Sequence, residues 1–171
     1  MEFEKVITDR YSVRDYSDRE VEQEKLNKII EAGMLAPTAK NIQPQRVYVL
    51  KSEEALEKIR GLSRCAFNAP VVLLVGYDES EQWTNPLEAG ISSGVEDASI
   101  VATHMMLEAQ NLGLGTCWVN IFKNSEVETA FNLPDSVRSV LLMPLGYASE
   151  KAHPAPLHET RRATEEVVKY L

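Results

Sequence analysis

A chain of 171 residues, 44% of them hydrophobic, has the size of one ordinary domain and is long enough to bury its own core without staples. Its 26 acidic and 18 basic residues leave a net charge of −8, which disfavours non-specific binding to nucleic acid and other polyanions. Cys65 and Cys117 suit no metal-ligand spacing, the opening Met1-Glu2-Phe3-Glu4-Lys5 lacks a secretion signal's apolar stretch, and no apolar run is long enough for a membrane span. A cytoplasmic protein with free thiols is expected.

In chain order, Glu22 to Met34 places Leu26, Ile29, Ile30, Gly33 and Met34 at helical spacing, and Pro37 follows its end. Arg46 to Leu50 reads as a short strand, Glu53 to Leu62 as a helix, and Val71 to Val75, announced by Pro70, as a buried strand. The segment Tyr77 to Leu87 is polar, aromatic and without periodicity, as suits a loop over a site; its Trp83 either stacks on a substrate or packs on its own domain. From Val95 to Leu112, apolar or small residues recur at steps of three and four around Met105, predicting a central, largely buried helix that stops at Gly113. His104 sits within that pattern as a helix-face residue. A strand is expected after Gly113, a short helix with a Ser125/Glu128 capping box next, and a last core strand over Ser139 to Tyr147.

The whole of 1–171 then forms a single domain whose last part, 148–171, is a tail. Ala148 to Pro156 holds two prolines and should be extended, and Glu165 to Tyr170 is strand-like. Such a tail either joins a neighbouring subunit's sheet edge or folds back on its own domain.

Two motifs carry chemistry. Arg10-Tyr11-Ser12-Val13-Arg14 puts two guanidinium groups and a hydroxyl in one short segment, a donor set suited to phosphate. The alternative is that Arg10 and Arg14 pair with Asp9, Asp15 or Asp18 on a solvated surface. Pro37-Thr38-Ala39-Lys40-Asn41 is a turn ending in an amide that can hydrogen-bond the polar edge of a flat heterocycle. Together they suggest a flavin mononucleotide (FMN) site. No metalloprotease helix motif, serine nucleophile elbow or Walker loop is found, and His104, His153 and His158 make no ligand spacing, so no metal site and no catalytic side chain are expected; the cofactor carries the chemistry.

The Arg-x-Ser-x-Arg-x-Tyr opening, the Ala36-Pro37-Thr38-Ala39-Lys40-Asn41-Ile42-Gln43-Pro44 turn, the Gly113-Leu114-Gly115-Thr116-Cys117-Trp118 run, Pro144-Leu145-Gly146-Tyr147 and Arg161 before Glu165-Glu166-Val167-Val168 resemble, in this order, the nitroreductase family of flavoproteins. The resemblance covers nearly the whole chain. It implies an α+β three-layer sandwich, a mixed but mainly antiparallel sheet flanked by helices, assembled as an intertwined homodimer with two FMN sites at the interface. Position by position, it implies that Arg10, Tyr11 and Ser12 belong to the phosphate-binding segment and that Arg14 lies near the pyrimidine edge or the ribityl hydroxyls. Pro37, Thr38, Ala39 and Asn41 of the other subunit would face the isoalloxazine, with the backbone of Gly115 and Thr116 close to the ring and Arg161 on the phosphate.

The implied activity is ping-pong transfer of electrons from NADH or NADPH through flavin N5 to a small-molecule acceptor, a nitroaromatic, quinone or related electrophile. The alternatives are a flavin-binding carrier or redox sensor without efficient turnover, or another flavin chemistry such as dehalogenation or azoline oxidation. Three positions depart from the family's pattern: Glu159 replaces a common lysine, Gln45 a common tryptophan, and Asn120 an acidic or glycine residue near the flavin.

Overall fold

The computed structural model describes residues 2–171. A helix that periodicity did not flag comes first, α1 (Phe3–Asp9), buried through Val6 alone. α2 (Gln23–Met34) follows the predicted helix closely and buries Leu26, Ile29 and Gly33. β1 (Gln45–Leu50), α3 (Glu53–Leu62) and β2 (Val71–Asp78) come next; Ser52 caps α3 by accepting the Ala55 amide at 3.2 Å. α4 (Gly94–Asn111) is the long central helix, and Leu112 and Gly113 close it, the latter at φ +78. β3 (Gly115–Thr116), α5 (Asn124–Ala130) and β4 (Val137–Gly146) complete the core.

The four strands form one sheet in the order β1-β2-β4-β3, and every neighbouring pair is antiparallel. An alternating order of helices and strands suggests parallel crossovers, yet here α3 runs out from the end of β1 and the chain returns to the same end, so Leu50 faces Val72 and β2 runs antiparallel. A parallel pairing appears at the single bridge between Ser12 and Thr116.

Strand alternation divides the sheet's side chains between two cores. On one face Val71, Leu73, Val75, Leu141, Met143 and Leu145 pack under α2 and α4; on the other Leu50, Val72, Leu74 and Leu142 pack under α3 and α5, with Ile59 and Val127 buried. These are the three layers. Met105 lies in the first core across from Gly33 of α2, so it is buried within its own protomer and not on an outer face. The outward stripe of α4 is different: Val95 and Ile100 are exposed, and Thr103, His104 and Leu107 line a cavity of about 420 Å³ with Phe3 and Val6 of α1.

Two expectations fail for local reasons. Glu128 forms no capping box with Ser125, because α5 starts at Asn124 and the Glu128 carboxylate instead accepts the Ser139 amide at 2.7 Å and its hydroxyl at 2.8 Å. The tail is not strand-like at its end. Thr164–Val167 instead makes a single helical turn, α6, closed by the Val168 amide on the Thr164 carbonyl at 2.8 Å.

Candidate functional site

The Arg10–Arg14 segment leaves α1 and runs beside the β3 edge of the sheet. The Val13 amide donates to the Thr116 carbonyl at 2.9 Å, and Gly115 lies against Val13 so closely that a Cβ there would fall 2.3 Å from a Val13 methyl. The missing side chain at 115 therefore serves this docking. Tyr16 anchors the segment from below, its hydroxyl donating to the Val13 and Pro144 carbonyls at 3.0 and 3.1 Å. Burial pushes its ionisation well above the ordinary range.

Ser12 and Arg14 line a cleft of about 190 Å³ whose far wall is the tail: Ala155, Leu157 and His158. The tail reaches it because Ala148 bridges Tyr16 and the Ser149 amide bonds the Asp15 carbonyl at 3.1 Å. Beneath the segment lies the buried Cys117 thiol, pushed up by burial and partly drawn back by the Arg14 guanidinium, the Ser12 hydroxyl and, more weakly, Arg10. Among the described residues neither Arg10 nor Arg14 makes an ion pair; Asp9 is taken by Lys5, and Arg14 donates only to the Ser12 carbonyl at 3.2 Å. Arg161 sits on the same tail turn and donates to the carbonyls of His158 and Thr160, whereas Arg162 pairs with Glu166 at 3.8 Å.

Pro37, Thr38, Ala39 and Asn41 lie elsewhere, between α2 and β1. Lys40, Asn41 and Gln43 all adopt left-handed backbone, with φ of 51, 55 and 59, which costs free energy for residues with side chains and is characteristic of functional turns. Two side chains accept backbone amides of the turn. The Thr38 hydroxyl accepts the Gln43 amide at 3.1 Å, and the buried Asp97 carboxylate of α4 accepts the Ala39 amide at 2.8 Å while its other oxygen takes the Ser93 hydroxyl at 2.7 Å. Gln45 follows, buried, with its Oε1 the one buried side-chain oxygen left without a partner among the described residues. Asn120 spends its amide on its own chain, accepting Trp118 Nε1 at 2.8 Å and donating to the Val140 carbonyl at 2.9 Å. Trp83 is half-buried just outside the Thr84–Ser92 bridge, its carbonyl accepting the Ser93 amide at 3.0 Å.

The structure thus brings Ser12 and Arg14 to one cleft beside Thr116, with Arg10 earlier on the same segment, and holds the 37–41 turn apart from them. Gln45 pairs with Tyr77 at one edge of the sheet, and Thr116 pairs through Leu145 with Val71 at the other. Three strand spacings across and six residues along separate them, about 14 Å by about 20 Å. The two groups lie near opposite ends of α4, Asp97 near its start and Gly115 just beyond its end. Two polar residues escaped the sequence reading. Asp97 reaches Ala39, and His158 reaches the Ser12 cleft, each across a long stretch of chain with no local pattern to mark it.

A three-layer α+β sandwich with an anion-suited cleft at the sheet edge defines a class, and the comparisons give its family. The family model described as "Nitroreductase family" matches residues 7–68 and 60–147, and the chain belongs to that family. A Methanothermobacter thermautotrophicus protein, provisionally named an NADH dehydrogenase/NAD(P)H nitroreductase, is 32% identical over 88% of this chain and 79% of its own. The FMN reductase [NAD(P)H] of Bacillus subtilis is 30% identical over 89% of this chain and 68% of its own. Among solved structures, a nitroreductase family protein from Clostridium difficile 630 superposes with a TM-score of 0.92 at 37% identity, over 99% of this chain and 98% of that one.

Proposed function

We propose that this chain is an FMN-dependent NAD(P)H oxidoreductase working as a homodimer, in which Arg10, Ser12 and Arg14 of one protomer and the 37–41 turn of its partner form each site. The observation that carries the reading is the pair of arginines without acidic partners, set beside a hydroxyl at the sheet edge of a net-acidic chain. Guanidinium and hydroxyl donors are the chemistry a phosphate monoester needs. The strained turn, fixed by a buried carboxylate, supplies amide and backbone groups for the polar edge of a ring. Because the halves lie at opposite ends of α4, a two-fold axis across the middle of that helix brings each turn to the other protomer's arginines. The exposed Val95 and Ile100 and the apolar cavity beside Leu107 give that axis a surface to bury.

Bound FMN would supply the redox chemistry that links NADH or NADPH to a nitroaromatic, quinone or related electrophile in two half-reactions. The chain's own residues bind and bias. Arg10 and Ser12 hold the phosphate with Arg161 from the tail, while Asn41 hydrogen-bonds the ring's polar edge. Arg14 places positive charge where the reduced ring is anionic. The loop between β2 and α4 covers the acceptor. Free thiols at Cys65 and Cys117 accord with work in the cytoplasm.

The test is spectroscopic. The protein as isolated should be yellow, release FMN by mass, bleach on adding NADH or NADPH, and recover with a nitroaromatic or quinone. Flavin that stays oxidised with both nucleotides would make the protein a carrier, and a colourless preparation that takes up no FMN would end the reading.

A further inference from the structure

We propose that His158 is a further ligand of the anion bound in the Ser12–Arg14 cleft, and that it makes the grip on a phosphate ester depend on pH. The inference rests on the flavin reading above and adds a residue to that site. His158 lines the cleft together with Ser12 and Arg14. Its position is set by the backbone: the tail makes a 3-10 turn over Pro156–Glu159, in which the His158 amide donates to the Ala155 carbonyl at 2.8 Å and Arg161 clasps the His158 carbonyl. The ring is oriented as well. Tyr11 meets it edge-on, with centroids 6.4 Å apart and planes at 74°.

Charge explains why the placement matters. Tyr11 and Arg14 face the imidazole from the N-terminal segment, while Glu159 ends its own turn and Arg161, two residues further on, holds the His158 carbonyl. An imidazolium on the wall of the cleft is favoured once a phosphate dianion lies against it beside Ser12. Binding a phosphate monoester therefore takes up a proton at His158, and affinity rises as pH falls through the range in which imidazole charges. The phosphate's own second ionisation acts in the opposite sense, weakening the ligand's charge as pH falls towards about 6. A rise on acidification must then come from the protein.

The experiment titrates the full-length protein, freed of flavin, with FMN and separately with riboflavin, at about pH 6.5 and about pH 8, following flavin fluorescence. FMN should bind about threefold or more tightly at the lower pH, as a charge-assisted hydrogen bond replaces a neutral one. Riboflavin, which has no phosphate, should show no such difference, and His158→Gln should abolish it for FMN. If His158→Gln keeps the wild-type dependence, or the wild type shows none while still binding FMN, this inference falls and the flavin site stands. If neither flavin binds at either pH, the flavin reading falls and takes the inference with it.

Discussion

At the scale of single residues, two side chains make measurable claims. Among the described residues Arg14 has no carboxylate partner, and a positive group beside a reduced flavin ring favours its anionic form. Arg14→Ala should shift the bound flavin's midpoint to more negative potential in a spectroelectrochemical titration, by the equivalent of tenfold for each ~1.4 kcal/mol of lost preference. An unchanged midpoint would remove Arg14 from the ring's surroundings. Glu22 lies away from the site and tests the structure itself. The Tyr147 hydroxyl donates to both carboxylate oxygens, at 2.7 and 2.9 Å, and holds Glu22 at about 2, below its ordinary 4.5. A depressed carboxyl stabilises the fold above its unfolded value and loses that contribution as pH falls through the folded one, so the window here is from about 4.5 down to about 2. Tyr147→Phe should return the Glu22 titration towards 4.5 in carboxyl NMR shifts; no movement would mean that the contact is not made in solution. At this scale the segment proposed to hold the phosphate was legible, because two arginines with a serine stand out in an acidic chain. Asp97 and His158 were not, since each acquires its role only when distant segments meet.

Among elements, periodicity carried the long helices and the buried strands almost to their ends, because one-sided burial is written in the spacing of Leu26, Ile29 and Gly33 or in the unbroken Val71–Val75 run. It failed where an element buries little or its partner is remote. α1 turns inward through Val6 alone, and Glu128 fits a capping spacing yet belongs to Ser139. The start of α4 shows what packing demands beyond pattern. A Cβ at Gly94 would fall 2.2 Å from the Tyr77 ring and 2.6 Å from Gln82 Oε1, so the helix approaches β2 closer than any side chain permits. Gly94→Ala should destabilise the fold by about 1–3 kcal/mol through overpacking, read as a lower urea midpoint. Wild-type stability would show that the helix can retreat. Because Asp97 lies one turn on and holds Ala39, the same substitution should also loosen the 37–41 turn.

For the whole molecule, the proposed site, with its halves separated along α4, calls for a second copy, and the tail is the part of the chain with least reason to exist alone. From Glu159 onward every residue is exposed, including Val167, Val168 and Tyr170. A chain ending after Ala152 keeps the contacts of Ala148 and Ser149 with Tyr16 and Asp15, so it should fold. It should also dimerise weakly and lose FMN on gel filtration; retention of both would assign the tail to neither task. The antiparallel sheet was legible only through the family's motifs, since an alternation of helices and strands suggests parallel crossovers, and so was the way half-sites would combine, since no residue pattern within one chain records a partner's position. The most direct measurement is the mass of the native assembly under non-denaturing conditions. Two chains carrying two FMN molecules are expected; a single chain without flavin, unchanged by added FMN, would contradict the account.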